Sequence, residues 1–214
     1  MNFLHYFIDI LFPQPIDIER IEKMTAEDFI SEAPQALEQI SADIVSIFNY
    51  KHPLVQKTLW ELKYRGNNTL ARLLADILYD EIIEYLADEA LFSGFTDPLL
   101  IPIPLSSQRL QERGWNQTEM IATALQAKDR NRSFMLEKNI LKKIRHTEAQ
   151  TKLSKSKRLK NLKGCFAVLE PEKIKKRNII LLDDVTTTGS TILEAKTTLL
   201  KSGARNVIAF SIAH

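Results

Sequence analysis

Cysteine and histidine are scarce in this chain of 214 residues, and their scarcity limits the metal and redox chemistry that it can support. The single cysteine, Cys165, excludes an internal disulfide and any cysteine-rich zinc site. Four histidines occur without metal-ligand spacing, at positions 5, 52, 146 and 214. We therefore expect no zinc, and we interpret the histidines as surface or packing residues.

Long hydrophobic runs are also missing. A helix needs about 20 apolar residues to cross a bilayer, and the longest runs here are far shorter. Residues 1–7 lack the basic segment and the small-residue cleavage site of a secretory signal. With 44% hydrophobic and 26% charged residues, the composition predicts a cytoplasmic globular protein without membrane insertion. It leaves the oligomeric state open.

Charge is distributed unevenly, although the formal net charge is only +2. Residues 1–100 are acidic, whereas residues 128–177 are strongly basic. A basic stretch attracts nucleic acid or a polyphosphate substrate, but lysines also cover ordinary solvated helix faces. Aromatic residues interleave thinly with these cations, which weakens an interpretation as a surface for single-stranded nucleic acid.

The most informative segment is residues 178–191. Four apolar residues, 179–182, predict a buried parallel strand, and Asp183 and Asp184 stand at its carboxyl end. A helix predicted over residues 192–200 opens from a hydroxyl-rich turn, which consists of Thr186, Thr187, Thr188, Gly189, Ser190 and Thr191.

This order of residues suits a phosphorylated sugar. In an open α/β sheet, ligands bind at the carboxyl ends of strands, and the free N–H groups of a helix start bind phosphate. The two carboxylates can accept hydrogen bonds from two neighbouring ribose hydroxyls. The alternative is that Thr187 or Thr188 only caps the helix. The pattern therefore predicts a binding site for ribose 5-phosphate.

Other segments carry cations that could accompany a phosphate. Arg109 and Arg113 are four residues apart, which places them on one side of a helical turn, and guanidinium groups suit pyrophosphate oxygens. Asn116 has a more ordinary role as the cap of the next helix. Lys63 lies near a helix end followed by Gly66, where the helix dipole alone favours a cation.

Strands alternate with helices along the chain from residue 99 onward. Strands are expected at residues 99–103, 140–144, 179–182 and 207–212, and helices at 53–63, 69–86, 118–128 and 192–200. The alternation predicts an α/β fold with a central parallel sheet of four to five strands flanked by helices. Residues 1–50 lack the alternation, so we expect a small N-terminal helical appendage, with a helix at 2–12, attached to a domain spanning 51–214.

Taken together, these motifs resemble those of the ComF family, which is named for a role in DNA uptake during natural competence. The similarity is carried, in order, by residues 63–67, 103–117, 145–153, 161–166 and the segment around Asp183 and Asp184. That last segment also resembles the phosphoribosyl diphosphate (PRPP) motif of the type I phosphoribosyltransferases. Family members commonly open with a cysteine-rich zinc module. Its cysteines are missing here, so zinc binding is not carried over.

The resemblance implies a type I phosphoribosyltransferase-like fold and a protein that binds PRPP together with Mg²⁺. Asp183 and Asp184 would be the catalytic carboxylates that contact the ribose hydroxyls, and residues 186–191 would hold the 5′-phosphate. The pyrophosphate would be neutralised by Lys63, Arg109, Arg113 and Arg145. The implied activity is pentosyl transfer, a glycosyltransferase reaction of nucleotide metabolism, to an acceptor that the sequence does not identify.

Two alternatives to an active transferase stay open. The chain could be a non-catalytic competence factor that binds single-stranded DNA or competence proteins, or a regulator that senses PRPP without turning it over. The long cationic connection at residues 145–163 predicts a lid that closes over the pyrophosphate. The alternative for this segment is an exposed helix anchored by Leu153, Leu159 and Leu162.

Overall fold

The computed structural model describes residues 17–36, 41, 43–145 and 162–214. Its first elements are the short helices α1 (Ile18–Glu22) and α2 (Ala26–Glu32), followed by strand β1 (Ile44–Phe48). Thr25 caps α2 through a reciprocal capping box with Asp28. The helix predicted at residues 2–12 lies outside the described residues.

Two consecutive helices follow β1. Helix α3 (Pro53–Arg65) has a proline in its first turn and ends at Gly66, whose φ is +61°. Helix α4 (Asn68–Phe92) begins after Asn67, whose side chain accepts hydrogen bonds from two backbone N–H groups of the first turn. Both helices were predicted, and α4 extends beyond its predicted end. In the described ranges, no helix combines the length and the hydropathy that a membrane span requires.

The remaining elements alternate between strands and helices, as predicted. In chain order they are β2 (Leu99–Pro102), α5 (Ser107–Arg113), α6 (Gln117–Lys128), β3 (Met135–Leu136), β4 (Leu141–Lys143), β5 (Phe166–Val168), α7 (Pro171–Ile174), β6 (Asn178–Val185), α8 (Ser190–Lys201) and β7 (Asn206–Ala213).

A five-stranded sheet in the order β1–β7–β6–β2–β3 forms the centre, and all its neighbouring strands are parallel. The predicted parallel sheet flanked by helices is thus confirmed. The two edge strands of the sheet differ from the prediction. Strand β1 comes from residues 44–48, inside the segment assigned to the appendage, and strand β3 was not predicted. The strand expected at 140–144 does not join this sheet, since β4 pairs antiparallel with β5. The domain boundary at residue 50 stays a prediction.

Apolar side chains cover both faces of the sheet, because successive residues of a strand point to opposite faces. On one face, which we call the α4 face, Ile180 and Leu182 of β6 pack with residues of α3, α4 and α6. On the other, the α8 face, Ile179 and Leu181 pack with residues of α8 and of the β4–β5 pair. A sheet covered on both faces leaves its strand ends as the edge at which a ligand can bind.

Candidate functional site

Two carboxylates mark the carboxyl end of β6. Asp183 and Asp184 are consecutive strand residues, so their side chains leave the sheet on opposite faces. Asp183 continues the α8 face after Leu181, and Asp184 continues the α4 face after Leu182. The two acids therefore have different neighbours, although they are adjacent in sequence.

Asp183 is buried, with 8% of its surface exposed. Its Oδ1 accepts a hydrogen bond of 3.0 Å from the backbone N–H of Asp184. Burial raises the pKa of Asp183 well above its ordinary value, the neighbouring Asp184 raises it further, and Lys143 acts in the opposite direction. A carboxyl group with a raised pKa at a ligand-binding edge is typical of a functional site.

Lys143 is the cation on the Asp183 side, and it was not among the residues predicted from the sequence. It is the last residue of β4, is only 9% exposed, and its Nζ lies 5.6 Å from the centroid of the Phe166 ring. Burial lowers the pKa of Lys143; the Cys165 thiol and Asp183 act to raise it, and Arg109 acts to lower it. No local signal distinguishes Lys143 from the other lysines of this basic segment, because its inward direction depends on the pairing of β4 with β5.

Arg109 is a second cation near Lys143, and it lies on the short helix α5. Arg109 and Arg113 both lie on α5, as their spacing predicts. Ser106 caps this helix by accepting from the backbone N–H of Arg109, and it also forms an isolated parallel bridge with Lys143. Arg109 therefore lies near Lys143, which is the cation that interacts with Asp183. We call Lys143 and Arg109 the basic cluster.

Asp184 is held by a buried side-chain amide that was not predicted from the sequence. Gln117, the first residue of α6, donates from Nε2 to Asp184 Oδ2 at 2.8 Å, and its Oε1 accepts a hydrogen bond from Arg113. Burial lowers the pKa of Arg113, while Asp184 acts to raise it. Asn116 caps α6, which confirms its expected structural role. The linked side chains Arg113, Gln117 and Asp184 thus occupy the α4 side of the site.

Aromatic side chains lie near the same carboxylate. Tyr50, just beyond β1, is 38% exposed, and Tyr64, in the last turn of α3, is 44% exposed. Burial raises the pKa of Tyr50, and Asp184 and then Tyr64 raise it further. The Tyr64 ring lies at a tilt against Trp60, with 5.3 Å between ring centroids, and the Arg113 guanidinium lies 5.8 Å from the Tyr64 centroid. We call Tyr50, Trp60 and Tyr64 the aromatic surface.

The turn after β6 leads directly into α8. Gly189 has a φ of +70° and precedes Ser190, the first residue of α8. The hydroxyls of Thr188 and Ser190 share a hydrogen bond of 2.6 Å. Thr186 is buried, and it is tied to the end of β7 through its N–H and through its carbonyl oxygen, which accepts from His214 Nδ1. Residues 187–191 therefore form the turn before α8 and the first residues of α8, where backbone N–H groups have no acceptor within the helix.

The two remaining predicted cations lie at the margins of this arrangement. Lys63 lies in the last turn of α3, with its Nζ 5.1 Å from the Tyr64 ring centroid, which places it beside the aromatic surface. Arg145 is exposed and donates to the carbonyl oxygen of Lys163 at 2.8 Å. The expected lid falls mostly on residues 146–161, which lie outside the described residues. The pyrophosphate roles of Lys63 and Arg145 stay predictions.

Gly66 holds α3 close to the segment that carries Gln117. Trp115 Nε1 donates to the carbonyl oxygen of Leu62 at 3.0 Å, and a Cβ at residue 66 would come within 2.9 Å of the Trp115 ring. Because residue 66 also has a φ of +61°, Gly66→Ala is expected to lower the free energy of unfolding by about 1–3 kcal/mol. For a chain of this size, each kcal/mol corresponds to roughly 2–4 °C in melting temperature.

Gly94→Ala is the matched control for this substitution. Gly94 has a φ of +65°, but a Cβ there would meet nothing within 4 Å. Thermal unfolding followed by circular dichroism should therefore show a larger loss for Gly66→Ala than for Gly94→Ala. Equal losses would contradict a stabilising role for the contact between Gly66 and Trp115.

Comparison with known proteins gives similarity to competence proteins. No family model matches the chain. It is 31% identical over 176 residues to Competence protein F of Haemophilus influenzae, covering 79% of this chain and 72% of that protein. It is 29% identical over 164 residues to the DNA utilization protein YhgH of Salmonella typhi, covering 77% and 68% of the two chains. A solved structure, hypoxanthine phosphoribosyltransferase of Trypanosoma cruzi, matches with 14% identity and a TM-score of 0.40, covering 66% of this chain and 63% of that one.

Proposed function

Because this chain belongs to the phosphoribosyltransferase-like, competence-associated ComF family, we propose that it binds PRPP at the carboxyl end of β6. The observation that supports this most is that Asp183 and Asp184 lie on opposite sides of one strand end, directly before the Gly189 turn and the start of α8. Ribose hydroxyls would donate to the two carboxylates. The 5′-phosphate would bind the free N–H groups and hydroxyls of residues 187–191.

The proposed reaction is transfer of the phosphoribosyl group to an acceptor. The bond from ribose C1 to a pyrophosphate oxygen breaks, and its electron pair leaves with the pyrophosphate. A lone pair of the acceptor forms the new bond to C1, and a proton on the attacking atom passes to water. Asp183 and Asp184 would offset the positive charge that develops on the ribose, and the basic cluster would bind the departing pyrophosphate.

Mg²⁺ would accompany PRPP, since it prefers oxygen ligands and usually keeps several waters. The donors that the chain offers at this edge are the carboxylate oxygens of Asp183 and Asp184, which fit the ion if PRPP oxygens and water complete its coordination. Within the described ranges, no three His, Cys, Asp or Glu side chains come together as a metal site. When bound, the ion would neutralise part of the charge on the pyrophosphate.

Calorimetric titration tests the PRPP site. PRPP with Mg²⁺ is expected to bind at one site per chain. Ribose 5-phosphate lacks the pyrophosphate and should bind at least about tenfold more weakly, a difference of about 1.4 kcal/mol. ATP with Mg²⁺ is the polyphosphate control and should give no comparable heat. Absence of PRPP binding, or equal binding of ATP, would overturn the proposal.

Binding of single-stranded DNA is the second candidate function. It is favoured by cations around the aromatic surface, since Lys57 Nζ and the Arg65 guanidinium lie 5.0 and 5.7 Å from the Trp60 ring centroid. Bases stack on aromatic rings beside such cations, and the two relatives are named for competence and DNA utilization. Affinity for oligo(dT) should then fall steeply between about 50 and 200 mM salt. No binding, or binding insensitive to salt, would remove this candidate.

A further inference from the structure

Arg113 is a predicted pyrophosphate ligand whose guanidinium is already engaged by other side chains. The group is half-buried and lies over the Tyr64 ring, 5.8 Å from the ring centroid. It also donates a hydrogen bond to Gln117 Oε1. A ring face and an amide oxygen therefore take up part of the guanidinium that a pyrophosphate would need.

The hydrogen bond from Arg113 sets the orientation of the Gln117 amide. An arginine carries donors and no acceptor, so the Gln117 oxygen must face Arg113, and the NH2 group is left for Asp184. That group donates to Asp184 Oδ2 at 2.8 Å. Because Gln117 is only 4% exposed, water has little access to compete for these two hydrogen bonds. The amide thereby links the positive charge of Arg113 to the carboxylate of Asp184.

Both carboxylate oxygens of Asp184 are held before any ligand arrives. Oδ2 accepts from Gln117, and Oδ1 accepts from the backbone N–H of Val185 at 2.9 Å. A carboxylate oxygen has two lone pairs, so each oxygen can still accept from a ribose hydroxyl. Without Gln117 the carboxylate would rotate more freely, and ordering it on binding would lower the affinity.

We propose that Gln117 is a positioning residue that holds the Asp184 carboxylate in the orientation that ribose requires. Arg113 acts through Gln117 and does not bind the pyrophosphate, which is left to the basic cluster of Lys143 and Arg109. This inference rests on the proposed PRPP function. Gln117 and Arg113 then matter for the ribose half of PRPP and not for its pyrophosphate half.

Separate binding of the two halves of PRPP tests this division. The probes are ribose 5-phosphate and inorganic pyrophosphate, each with Mg²⁺, measured by calorimetry beside PRPP itself. Gln117→Met keeps the length of the side chain and removes the amide, and Arg113→Met removes the guanidinium. Each variant should bind PRPP and ribose 5-phosphate about tenfold more weakly, a loss typical of groups that orient ligand-binding side chains. Affinity for pyrophosphate should stay within about threefold at about 0.15 M salt, which screens charges more than about 8 Å apart.

Three further variants complete the comparison. The double variant of Gln117→Met and Arg113→Met should lose no more affinity than either single variant, because both substitutions act on one carboxylate. Arg109→Met is the contrast and should weaken pyrophosphate binding. Gln111→Met is the matched control, since Gln111 is an exposed glutamine on α5, and it should bind all three ligands as the parent does. Circular dichroism checks the fold, and Gln117→Glu, which keeps the size and the acceptor for Arg113, replaces Gln117→Met if that variant does not fold.

The ligand-free protein provides a second readout. In nitrogen-15 NMR spectra, the side-chain NH2 signals of Gln117 are identified by their loss in Gln117→Met. These signals should shift in both Arg113→Met and Asp184→Ala, because each substitution removes one partner of the amide. Signals that do not shift in either variant would overturn the chain of hydrogen bonds and the positioning role with it.

Failure of this inference differs from failure of the PRPP site. If Arg113→Met loses pyrophosphate affinity as Arg109→Met does, Arg113 is a pyrophosphate ligand and the inference is overturned. If Gln117→Met binds ribose 5-phosphate as the parent does, the positioning role is overturned. The PRPP site stands in both cases. If the parent does not bind PRPP, the proposed function fails and the positioning role fails with it, even where the NMR signals show the hydrogen bonds.

Discussion

Replacement of Asp183 and Asp184 together by asparagine is expected to abolish measurable PRPP binding while the protein stays folded. Each carboxylate would accept hydrogen bonds from a ribose hydroxyl, and hydrogen bonds to charged groups contribute about 1.5–3 kcal/mol each. Loss of both should weaken binding by roughly a hundredfold or more. The measurement is calorimetric titration with PRPP and Mg²⁺, with Asp80→Asn as the control because Asp80 is an exposed acid on α4. Parent-like affinity in the double variant would remove the proposed ribose contact.

The stability of the Asp183→Asn variant checks the electrostatic part of this expectation. Burial and Asp184 hold the pKa of Asp183 well above its ordinary value, so the ionised carboxylate destabilises the folded state relative to the unfolded one. Asparagine removes that penalty, so Asp183→Asn should raise the melting temperature at neutral pH, and each kcal/mol gained corresponds to roughly 2–4 °C.

The dependence of this gain on pH has a definite sign. The penalty is complete above the folded pKa of Asp183, declines as the pH falls through that pKa, and vanishes below the unfolded value of about 3.9. The difference in melting temperature between Asp183→Asn and the parent should therefore shrink as the solution is acidified. A difference that stays constant with pH would contradict a raised pKa for Asp183.

Lys143→Met is expected to weaken PRPP binding by about ten- to a hundredfold. A buried ammonium that bonds to a phosphate oxygen contributes about 1.5–3 kcal/mol, and its low exposure keeps this interaction from being screened by salt. Methionine has a similar length and can keep the packing on Phe166, so the fold should persist. Calorimetry with PRPP and with inorganic pyrophosphate measures the loss, which should be of similar size for both ligands.

Lys142→Met is the matched control for Lys143→Met. Lys142 precedes Lys143 in β4 but is exposed on the opposite face. Its removal deletes the same charge from the chain and should leave PRPP affinity within about twofold of the parent, since exposed charges contribute little. Equal losses of PRPP affinity in the two variants would mean that only the net charge of the protein matters. If Lys143→Met lost no PRPP affinity, the basic cluster would be removed from the proposed pyrophosphate site.

Much of the site was predictable because its signals are local. The run 179–182 followed by Asp183 and Asp184 predicted both β6 and the acids at its end, and the turn rich in threonine predicted the start of α8. Arg109 and Arg113 were correctly placed on one helix, and Asn116 was correctly interpreted as a cap. In each case the deciding interaction spans a few residues, either a strand period or the first turn of a helix.

Other members of the site could not be predicted, because distant parts of the chain bring them together. Lys143 is one of many lysines in the basic stretch of residues 128–177, and nothing in the sequence distinguishes it from the others. Only the pairing of β4 with β5 turns its side chain inward beside Asp183. Gln117 carries no motif of its own, and its role depends on how α6 packs against the end of β6. Tyr50 approaches Asp184 because β1 pairs with β7, a contact between Ile44 and Ala209 that no local pattern encodes.

The amino-acid sequence by itself therefore determined the alternating α/β plan, the two acids at one strand end and the glycine turn before α8, since these depend on periodicity and on residues adjacent in the chain. Tertiary structure alone decided that the two acids face different partners, a basic cluster beside Asp183 and an aromatic surface beside Asp184. The physical reason is that side chains alternate across β6, while the helices and strands that cover its two faces come from segments far apart in sequence.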